Sequence, residues 1–283
     1  MKPPLRRAGV LYQPHIPAAR ELAMILDARL RTLDVEPWLA SAWEVGAGEM
    51  VDTDLVITLG GDGTVLRAAR ATAAADHAAP PLLSVDFGRL GFLTEVEPEE
   101  AEAALARVLA GDCWIEERYL LLAEQFRAGQ CIGELFAVNE VVLARSDGPH
   151  ALRLGLRLDG VHVANYVADG VIVATPTGST AYAYAAGGPI VAPTLDAMLV
   201  IPAAAHLSLI RSLVVPSSTV VELTADSHRP SVVTADGQQV LNWEGGDRLR
   251  VTRSDRAARF VRLGRPGYFF ATLHARLSKP RPF

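Results

Sequence analysis

The sequence Leu59-Gly60-Gly61-Asp62-Gly63-Thr64 is the best guide to the fold and chemistry of this chain. It follows residues 55–59, an apolar run that is short, branched and not alternating, as buried parallel strands are. Residues 65–70 have the Ala, Leu and Arg content of a helix, and Thr64 is placed to cap the start of that helix. The glycines are therefore predicted at a turn from strand to helix, where they can take positive φ and let the backbone approach a ligand.

This turn is predicted to bind phosphate. The free N–H groups at a helix start carry about half a positive charge, and glycines leave room for an anion beside them. Asp62 is unusual in such a loop, because a carboxylate repels phosphate unless it holds a cation or takes a proton. A phosphoryl-transfer site needs one or both of these. The alternative is a plain tight turn, but the order of strand, loop and helix favours a phosphate site. The loop differs from the two common phosphate motifs, G-x-x-x-x-G-K-[ST] and G-x-G-x-x-G, neither of which occurs in this sequence.

Composition excludes several classes of function. The chain has 283 residues, of which 50% are hydrophobic and 21% charged, with a formal net charge of −5. This balance indicates a globular protein without the basic surface that binds nucleic acid or anchors a protein to a membrane. We find no apolar run long enough to span a bilayer. The apolar run that follows the basic residues 1–7 is too short for a signal peptide. Cys113 and Cys131 lie far apart, which is typical of reduced thiols in a cytoplasmic protein.

The first part of the chain alternates between strands and helices. The predicted strands are residues 9–12, 35–39, 55–59 and 82–85, and the predicted helices run from Pro17 to about Leu33, through residues 64–75 and from Pro98 to about Ala110. In the first helix, Leu22, Ile25, Leu26 and Leu30 are predicted to form the buried face. The alternation predicts an α/β domain with a parallel sheet over residues 1–117. Ligands bind such sheets at the carboxyl ends of the strands, where Asp62 lies.

After residue 117 the pattern changes to closely spaced strands. Asp159-Gly160 and Asp236-Gly237 are strong hairpin signals between apolar runs. Residues 118–259 are therefore predicted to form a mostly antiparallel, β-rich domain. The apolar tail, about residues 260–283, is predicted to pack back on the first domain.

Two stretches in the β-rich part are candidates for a second half of the site. Asn139-Glu140 interrupts the predicted strand 135–144, and adjacent side chains on a strand point to opposite faces. This pair is suited to a ligand rich in hydroxyl groups, although a solvated strand edge is the alternative. Residues 175–182, Thr-Pro-Thr-Gly-Ser-Thr-Ala-Tyr, follow a buried strand and precede a short predicted helix from Thr180 to about Ala186. They suit a nucleotide or its base, with an ordinary capped helix as the alternative.

Together these motifs resemble those of the NAD kinase family. The resemblance rests on residues 60–64, on Asn139-Glu140 and on residues 175–182, in this order and at this spacing. Residues 90–94, 186–190 and 236–238 also resemble family segments, so that the similarity covers roughly residues 8 to 275. The sequence differs from the family at Asp86, where an asparagine is usual, and at Ala185, where a hydroxyl is more common.

The resemblance implies transfer of a phosphoryl group from ATP or polyphosphate to the adenosine ribose 2′-hydroxyl of NAD, which makes NADP. It implies an α/β domain and a β-rich domain with the site between them, and a homodimer or homotetramer. It also implies Mg²⁺ or another divalent cation that accompanies the phosphoryl donor, with no fixed metal site assigned to the protein.

The resemblance also implies roles for individual residues. Asp62 would orient and deprotonate the 2′-hydroxyl. The residues implied to approach the donor phosphates are Gly60, Gly61, Gly63 and Thr64. The residues implied to bind NAD are Asp62, Gly63, Arg67, Phe92, Asn139, Glu140, His150, Asp169, Thr180, Ala181, Tyr182, Ala185 and Gln238. Among these, Asn139 and Glu140 would hold ribose hydroxyls, and Asp169 would meet the nicotinamide end.

Two other functions are compatible with parts of the sequence. A lipid kinase would share the loop that contains Asp62, but would need an apolar membrane-binding surface that the sequence does not offer. A non-catalytic NAD(P)-binding regulator would keep Asn139-Glu140 and the loop around Thr180, but would not need Asp62.

Overall fold

The computed structural model describes residues 5–75, 79–88, 91–146, 150–205, 212–226 and 229–278. Leu90, which belongs to one of the segments that resemble the family, lies outside the described residues. The chain divides into two compact units. Unit one comprises residues 1–118 and 257–283, and unit two comprises residues 119–256.

The described residues form α-helices, strands and short 3₁₀ turns. The helices are α1 (Pro17–Thr32), α2 (Asp62–Ala74), α3 (Ala101–Leu109), α4 (Tyr182–Ala185) and α5 (Tyr268–Ser278). The strands are β1 (Arg7–Tyr12), β2 (Glu36–Ser41), β3 (Leu55–Gly60), β4 (Leu82–Asp86), β5 (Trp114–Arg127), β6 (Gln130–Ala137), β7 (Glu140–Arg145), β8 (Leu152–Leu158), β9 (Val161–Ala168), β10 (Gly170–Ala174), β11 (Ala197–Ala203), β12 (Leu213–Pro216), β13 (Val221–Ala225), β14 (Ser231–Ala235), β15 (Gln239–Trp243) and β16 (Arg248–Arg262). The chain enters unit two within β5 and returns to unit one within β16.

Unit one has the predicted α/β fold. Its parallel strands lie in the order β2-β1-β3-β4, and the end of β16 pairs in parallel with β4. Every residue of β3 and β4 is buried, which explains why these runs are apolar without alternation. Gly60 pairs with Asp86, so that the carboxyl ends of β3 and β4 lie side by side. This edge of the sheet carries the glycine-rich loop.

Helix α1 buries the predicted Leu26 and Leu30 and packs the partly buried Leu22 against the core, but it exposes Ile25. Its buried residues are Ala19, Ala23, Leu26 and Leu30, whereas Ile25 is 51% exposed. The spacing of four, three and four residues puts the buried positions on one stripe of the helix, and Ile25 lies about 100° away from Leu26. The prediction for Ile25 was therefore wrong, because small alanines, rather than the larger side chain, face the sheet.

Unit two is antiparallel and rich in β-strands, as predicted. One set of strands has the order β12-β11-β10-β7-β14-β15, and β13 pairs with both β8 and β16. Its apolar core includes the fully buried Leu143, Tyr166 and Val173. Asp159 and Gly160 both have positive φ, 50° and 77°, as a two-residue hairpin of the type I′ class requires.

The C-terminal helix α5 belongs to unit one. Its first residue, Tyr268, donates its hydroxyl hydrogen to Glu116 Oε2 at 3.0 Å. None of the described helices is long and apolar enough to cross a membrane.

Candidate active site

The glycine-rich loop of unit one leads directly into helix α2. The helix begins at Asp62 with Gly61 as its N-cap, and Thr64 lies in the first turn. The prediction that Thr64 caps the helix was wrong, because the helix starts two residues earlier. Thr64 is buried instead and packs against Gly60, where any Cβ atom would collide with the threonine side chain.

Gly60 is needed for space, and none of the three loop glycines has a positive φ. Gly61 has φ −90°, and neither Gly60 nor Gly63 is among the glycines with positive φ. A Cβ atom on Gly61 would lie 3.8 Å from Cα of Gly88, so that two backbones approach each other closely here. The positive φ that glycine allows is therefore not used in this loop, and the approach of its backbone to a ligand stays a prediction.

The carboxylate of Asp62 is held by two backbone N–H groups. Phe92 donates to Oδ2 at 2.9 Å and Leu93 donates to Oδ1 at 3.0 Å. Gly91 packs so closely on this carboxylate that any Cβ atom there would collide with Oδ1. The three residues 91–93, which we call the 91–93 loop, therefore fix both the position and the orientation of the acid.

The environment raises the pKa of the Asp62 carboxyl above its ordinary value. Burial is the largest cause, and the negative charge of Asp86 acts in the same direction. The N–H bonds from Leu93 and Phe92 and the positive charge of Arg276 oppose these effects without cancelling them. A raised pKa makes the ionised carboxylate a stronger base than an exposed aspartate.

Asp86 ends strand β4 beside the glycine-rich loop and is itself buried. Its Oδ1 accepts the N–H of Gly88 at 2.8 Å, and its Oδ2 accepts the N–H of Gly91 at 3.1 Å. The carboxylate thus anchors the segment that leads into the 91–93 loop.

Two arginines bind the carbonyl oxygens of the same loop. Arg276 of α5 donates to the Phe92 carbonyl at 2.9 Å, and Arg262 of β16 donates to the Leu93 carbonyl at 3.3 Å. Arg262 is 1% exposed and also pairs with Glu95 and Glu116, each at 2.8 Å. No local pattern in the sequence points to these arginines, because their partners lie more than 140 positions away.

The other candidates in unit one have different surroundings. Phe92 is partly buried, and its ring centroid is 5.6 Å from the guanidinium carbon of Arg276. Arg67, on α2, places its guanidinium carbon 4.3 Å from the ring centroid of Trp43. Gly63 is exposed at the helix start, where a ligand can reach its backbone.

In unit two, one carboxylate organises Asn139-Glu140. Asp236 accepts the N–H groups of Val138, Asn139 and Glu140 at 3.0, 2.8 and 3.1 Å. The predicted strand 135–144 is consequently two strands, β6 and β7, with a break at residues 138–139. The sequence indicated Asp236 as a hairpin residue, but no pattern showed that its side chain reaches almost 100 positions back along the chain.

The loop that follows β10 packs directly on this break. Thr175 donates its N–H to the Asn139 carbonyl at 2.8 Å and its hydroxyl to the Val138 carbonyl at 2.6 Å. Gly178 lies against the Asn139 backbone, where a Cβ atom would collide with the carbonyl. Instead of one helix from Thr180 to Ala186, the chain forms a 3₁₀ turn, Thr177–Thr180, and then α4. The second predicted motif is therefore adjacent to Asn139-Glu140.

Glu140 is an unusual acid. It is 6% exposed and Asn139 is 8% exposed, so the alternative of a solvated strand edge was wrong. Glu140 accepts the backbone N–H of Tyr182, but its Oε2 atom has no hydrogen-bond partner among the described residues. Burial, helped by the charge of Asp236, raises the pKa of Glu140 to about 8. The side chain is thus protonated at neutral pH and is satisfied only when another group bonds it.

The remaining candidates of unit two differ in position and in burial. Asp169 precedes β10 and pairs with Arg145 at 2.9 Å, roughly 20 Å along the strand from Thr175. Tyr182 is 44% exposed and Ala185 is exposed, while Thr180 is buried and Ala181 is partly buried. Gln238 lies in the turn after Asp236 and His150 is exposed before β8. The structure brings together the residues near Glu140 but not Asp169.

The candidate site of unit one offers no ready metal centre among its described residues. Asp62 and Asp86 each accept two backbone N–H groups. Elsewhere the side chains of Glu124, Cys131 and Glu134 lie close enough together to share an ion. However, Glu124 already binds Arg250 through both oxygens, at 2.7 and 2.8 Å. The ion pair with Arg250 accounts for the position of Glu124, and Cys131 and Glu134 are exposed, so we assign no metal site to this cluster.

Comparison with known proteins gives a consistent result. The model of the ATP-NAD kinase N-terminal domain matches residues 15–113, and that of the ATP-NAD kinase C-terminal domain matches residues 138–263. The NAD kinase of Dehalococcoides mccartyi is 38% identical over 275 residues, which is 96% of this chain and 96% of the relative.

Two solved structures are similar over nearly the whole chain. The crystal structure of an NAD kinase from Archaeoglobus fulgidus in complex with ATP has a TM-score of 0.80 and 27% identity, covering 97% of this chain and 100% of that one. The crystal structure of yeast NADH kinase complexed with NADH has a TM-score of 0.88 and 25% identity, covering 100% of this chain and 90% of that one.

The pKa of Glu140 predicts how stability depends on pH. Its pKa of about 8 lies above the unfolded value, so that its contribution to stability is fully present below about pH 4 and is lost as pH rises through 8. Glu140→Gln stays neutral, and its urea midpoint, measured from pH 5 to 9, should fall less than that of the unmodified protein. Glu134→Gln, at an exposed position, should keep the original dependence. Identical slopes for Glu140→Gln and the unmodified protein would contradict the assignment.

Proposed function

The chain belongs to the NAD kinase family and catalyses ATP-dependent phosphorylation of NAD, and we propose that Asp62 is the base of this reaction. The observation that carries the proposal is the Asp62 carboxylate, held beside the glycine-rich loop by the N–H groups of Phe92 and Leu93. The comparisons support neither a lipid kinase nor a non-catalytic regulator.

The proposed reaction uses few groups of the protein. Asp62 accepts a hydrogen bond from the adenosine ribose 2′-hydroxyl and orients its oxygen toward the terminal phosphorus of the donor. As the new O–P bond forms, the bond from that phosphorus to the bridging oxygen breaks, and the leaving ADP keeps the electron pair. The hydroxyl proton passes to Asp62, whose raised pKa favours this transfer. Positioning and charge stabilisation are the main demands of phosphoryl transfer.

The donor phosphates are proposed to bind at the start of α2. Gly60, Gly61, Gly63 and Thr64 surround the point where β3 ends and the 13-residue helix α2 begins. The N–H groups of this helix end attract anions. Gly63 is exposed at the start of the helix, which supports the approach of a phosphate to its backbone.

We propose NAD contacts in each of the two units, taken separately. In unit two, the unpartnered Oε2 of Glu140 is suited to a ribose hydroxyl, with Asn139 beside it. Thr180, Ala181, Tyr182 and Ala185 are proposed to enclose the adenine. Asp169, at the far end of β10, is proposed for the nicotinamide end, since an extended dinucleotide needs widely separated contacts. In unit one the proposed contacts are Asp62, Gly63, Arg67 and Phe92, and His150 and Gln238 are further proposed contacts in unit two.

A divalent cation, Mg²⁺ in the simplest case, is proposed to enter with the donor. It would neutralise charge on the triphosphate, which binds this ion through its own oxygens. Among the described residues, no third metal-ligating side chain lies together with Asp62 and Asp86 as a cation site would need. No fixed protein site is therefore proposed for the ion.

We propose that the protein is a homodimer or homotetramer and that it acts in the cytoplasm. Strand β9 has one neighbour in its sheet and exposes Val161 and Val167, which are 66% and 44% exposed. Strand β9 also exposes His162 and Asn165, and an unpaired edge strand of this mixed character supports pairing with a second copy through its backbone. Cys113 and Cys131 are both free thiols, as expected in a reducing compartment.

The proposed function is tested by the product that the purified protein makes. NAD and Mg²⁺ are incubated with ATP and, in parallel, with polyphosphate, and NADP is measured with an NADP-specific dehydrogenase. NADP with ATP supports the function, and the parallel reaction shows whether polyphosphate also serves. The absence of NADP with both donors, although NAD binds, would overturn it.

The substitution Asp62→Asn tests the proposed base. It removes the proton acceptor while it keeps the shape of the side chain. We expect kcat to fall by about 10²–10⁴-fold, which is the rate enhancement that general-base catalysis typically contributes. NAD affinity should change little, and the thermal unfolding midpoint should fall modestly, because asparagine leaves the N–H group of Phe92 or Leu93 without an acceptor. Near-normal turnover in this variant would exclude Asp62 as the base.

A further inference from the structure

The 91–93 loop is bound from two sides by side chains of opposite charge. Asp86 accepts the N–H of Gly91 at 3.1 Å, and Arg276 donates to the carbonyl of Phe92 at 2.9 Å. The same short loop supplies the two N–H groups that hold Asp62.

The contacts of Arg276 reach Asp62 through one residue. The carbonyl of Phe92 receives Arg276 Nη1, while the N–H of Phe92 donates to Asp62 Oδ2. The guanidinium of Arg276 also lies 5.6 Å from the Phe92 ring and 5.8 Å from the Tyr268 ring, measured to the centroids. Because α5 holds Arg276 in this position, a helix near the C-terminus controls the geometry of an acid near residue 60.

The contacts of Asp86 act on the other end of the loop. Its two oxygens separately bind the N–H groups of Gly88 and Gly91, and Gly91 itself packs against Asp62 Oδ1. An asparagine at position 86 would present one acceptor oxygen instead of two, so one of these N–H groups would lose its partner.

We propose that Asp86 and Arg276 are positioning residues that hold the 91–93 loop from its two sides and thereby fix the Asp62 carboxylate for catalysis. This inference rests on the proposed function of Asp62 as the base. It assigns no substrate contact to either residue.

The two residues also influence the proton affinity of Asp62 in opposite directions. The charged groups that act on Asp62 are Asp86, at the end of β4, and Arg276, on α5. The loop adds the N–H groups of Leu93 and Phe92, and burial is the largest influence. Asp86 raises the pKa of Asp62, and Arg276 lowers it. Activity is lost as pH falls through the pKa of the base, so the acid limb of the kcat profile reports this balance.

The test compares kcat and KM against pH for Asp86→Asn, Arg276→Gln and Arg276→Lys. Loss of the negative charge in Asp86→Asn should move the acid limb to lower pH, and loss of the positive charge in Arg276→Gln should move it to higher pH. Each shift should be about one pH unit, as expected for a nearby charge. KM for NAD should change little, and Arg276→Lys should restore most of the original profile. Arg265→Gln, an exposed arginine just before α5, is the matched control.

A second measurement reports on the loop itself. Amide hydrogen exchange of residues 91–93 should be at least about tenfold faster in Asp86→Asn and Arg276→Gln, and close to normal in Arg276→Lys and Arg265→Gln. Acid limbs that do not move, or that move in the same direction in both variants, would overturn the electrostatic part. Unchanged exchange in the loop would overturn the positioning role.

The two proposals fail in distinguishable ways. If Asp62→Asn keeps normal turnover, the base assignment fails, and hydrogen exchange alone then decides whether Asp86 and Arg276 hold the loop. If Arg276→Gln does not fold, two results decide instead. They are the shift of the acid limb to lower pH in Asp86→Asn, with its faster loop exchange, and the near-normal profile of Arg276→Lys.

Discussion

The two hydrogen bonds from Phe92 and Leu93 to the Asp62 carboxylate are the interaction on which the candidate active site depends. They determine where the acid points, and they need Gly91 because a side chain there would collide with the carboxylate. They also need a loop that stays in place. The carbonyls of the same two residues are held by Arg276 and Arg262, and the buried Arg262 is in turn held by ion pairs. The peptide groups of Phe92 and Leu93 are thus hydrogen-bonded through their N–H groups to Asp62 and through their carbonyl groups to the two arginines.

Unit two uses the same device with another acid. Asp236 accepts three consecutive N–H groups and interrupts the path of a strand, so that Asn139 and Glu140 are presented as a pair. Asp236 is consumed by this structural role. Glu140 keeps one oxygen without a hydrogen-bond partner among the described residues, and its pKa is raised to about 8. A buried acid with these two properties is typical of a ligand-binding position. Asp62 differs from both acids, because it accepts two backbone N–H groups and is also the proposed base.

Local patterns in the sequence predicted the fold class and the place of the glycine-rich loop. Strand β3, the turn and helix α2 follow from residues that are neighbours in the chain, and so does the hairpin at Asp159-Gly160. The errors at Thr64 and Ile25 were local as well, because helix starts and buried faces depend on packing that a single element does not reveal.

What the sequence could not show is how distant segments support the site. Phe92 lies 30 positions from Asp62, and Arg276 lies 184 positions from Phe92. These contacts involve backbone atoms, which every residue possesses, so no residue type marks them. Family resemblance supplied Asp62 and Glu140 as candidates, but the contacts of Asp86 and Arg276 emerge only from the three-dimensional structure.

The most direct test of the account is the single-turnover rate of phosphoryl transfer in Gly91→Ala, measured with saturating NAD and ATP. The added methyl group would collide with Asp62 Oδ1, so the carboxylate must move. The account predicts a fall of about 10²-fold or more in this rate, with little change in NAD affinity, because small misplacements of a reacting group have such effects. Gly48→Ala, where a Cβ atom meets nothing within 4 Å, is the control. An unchanged rate in Gly91→Ala would contradict the claim that the position of Asp62 governs catalysis.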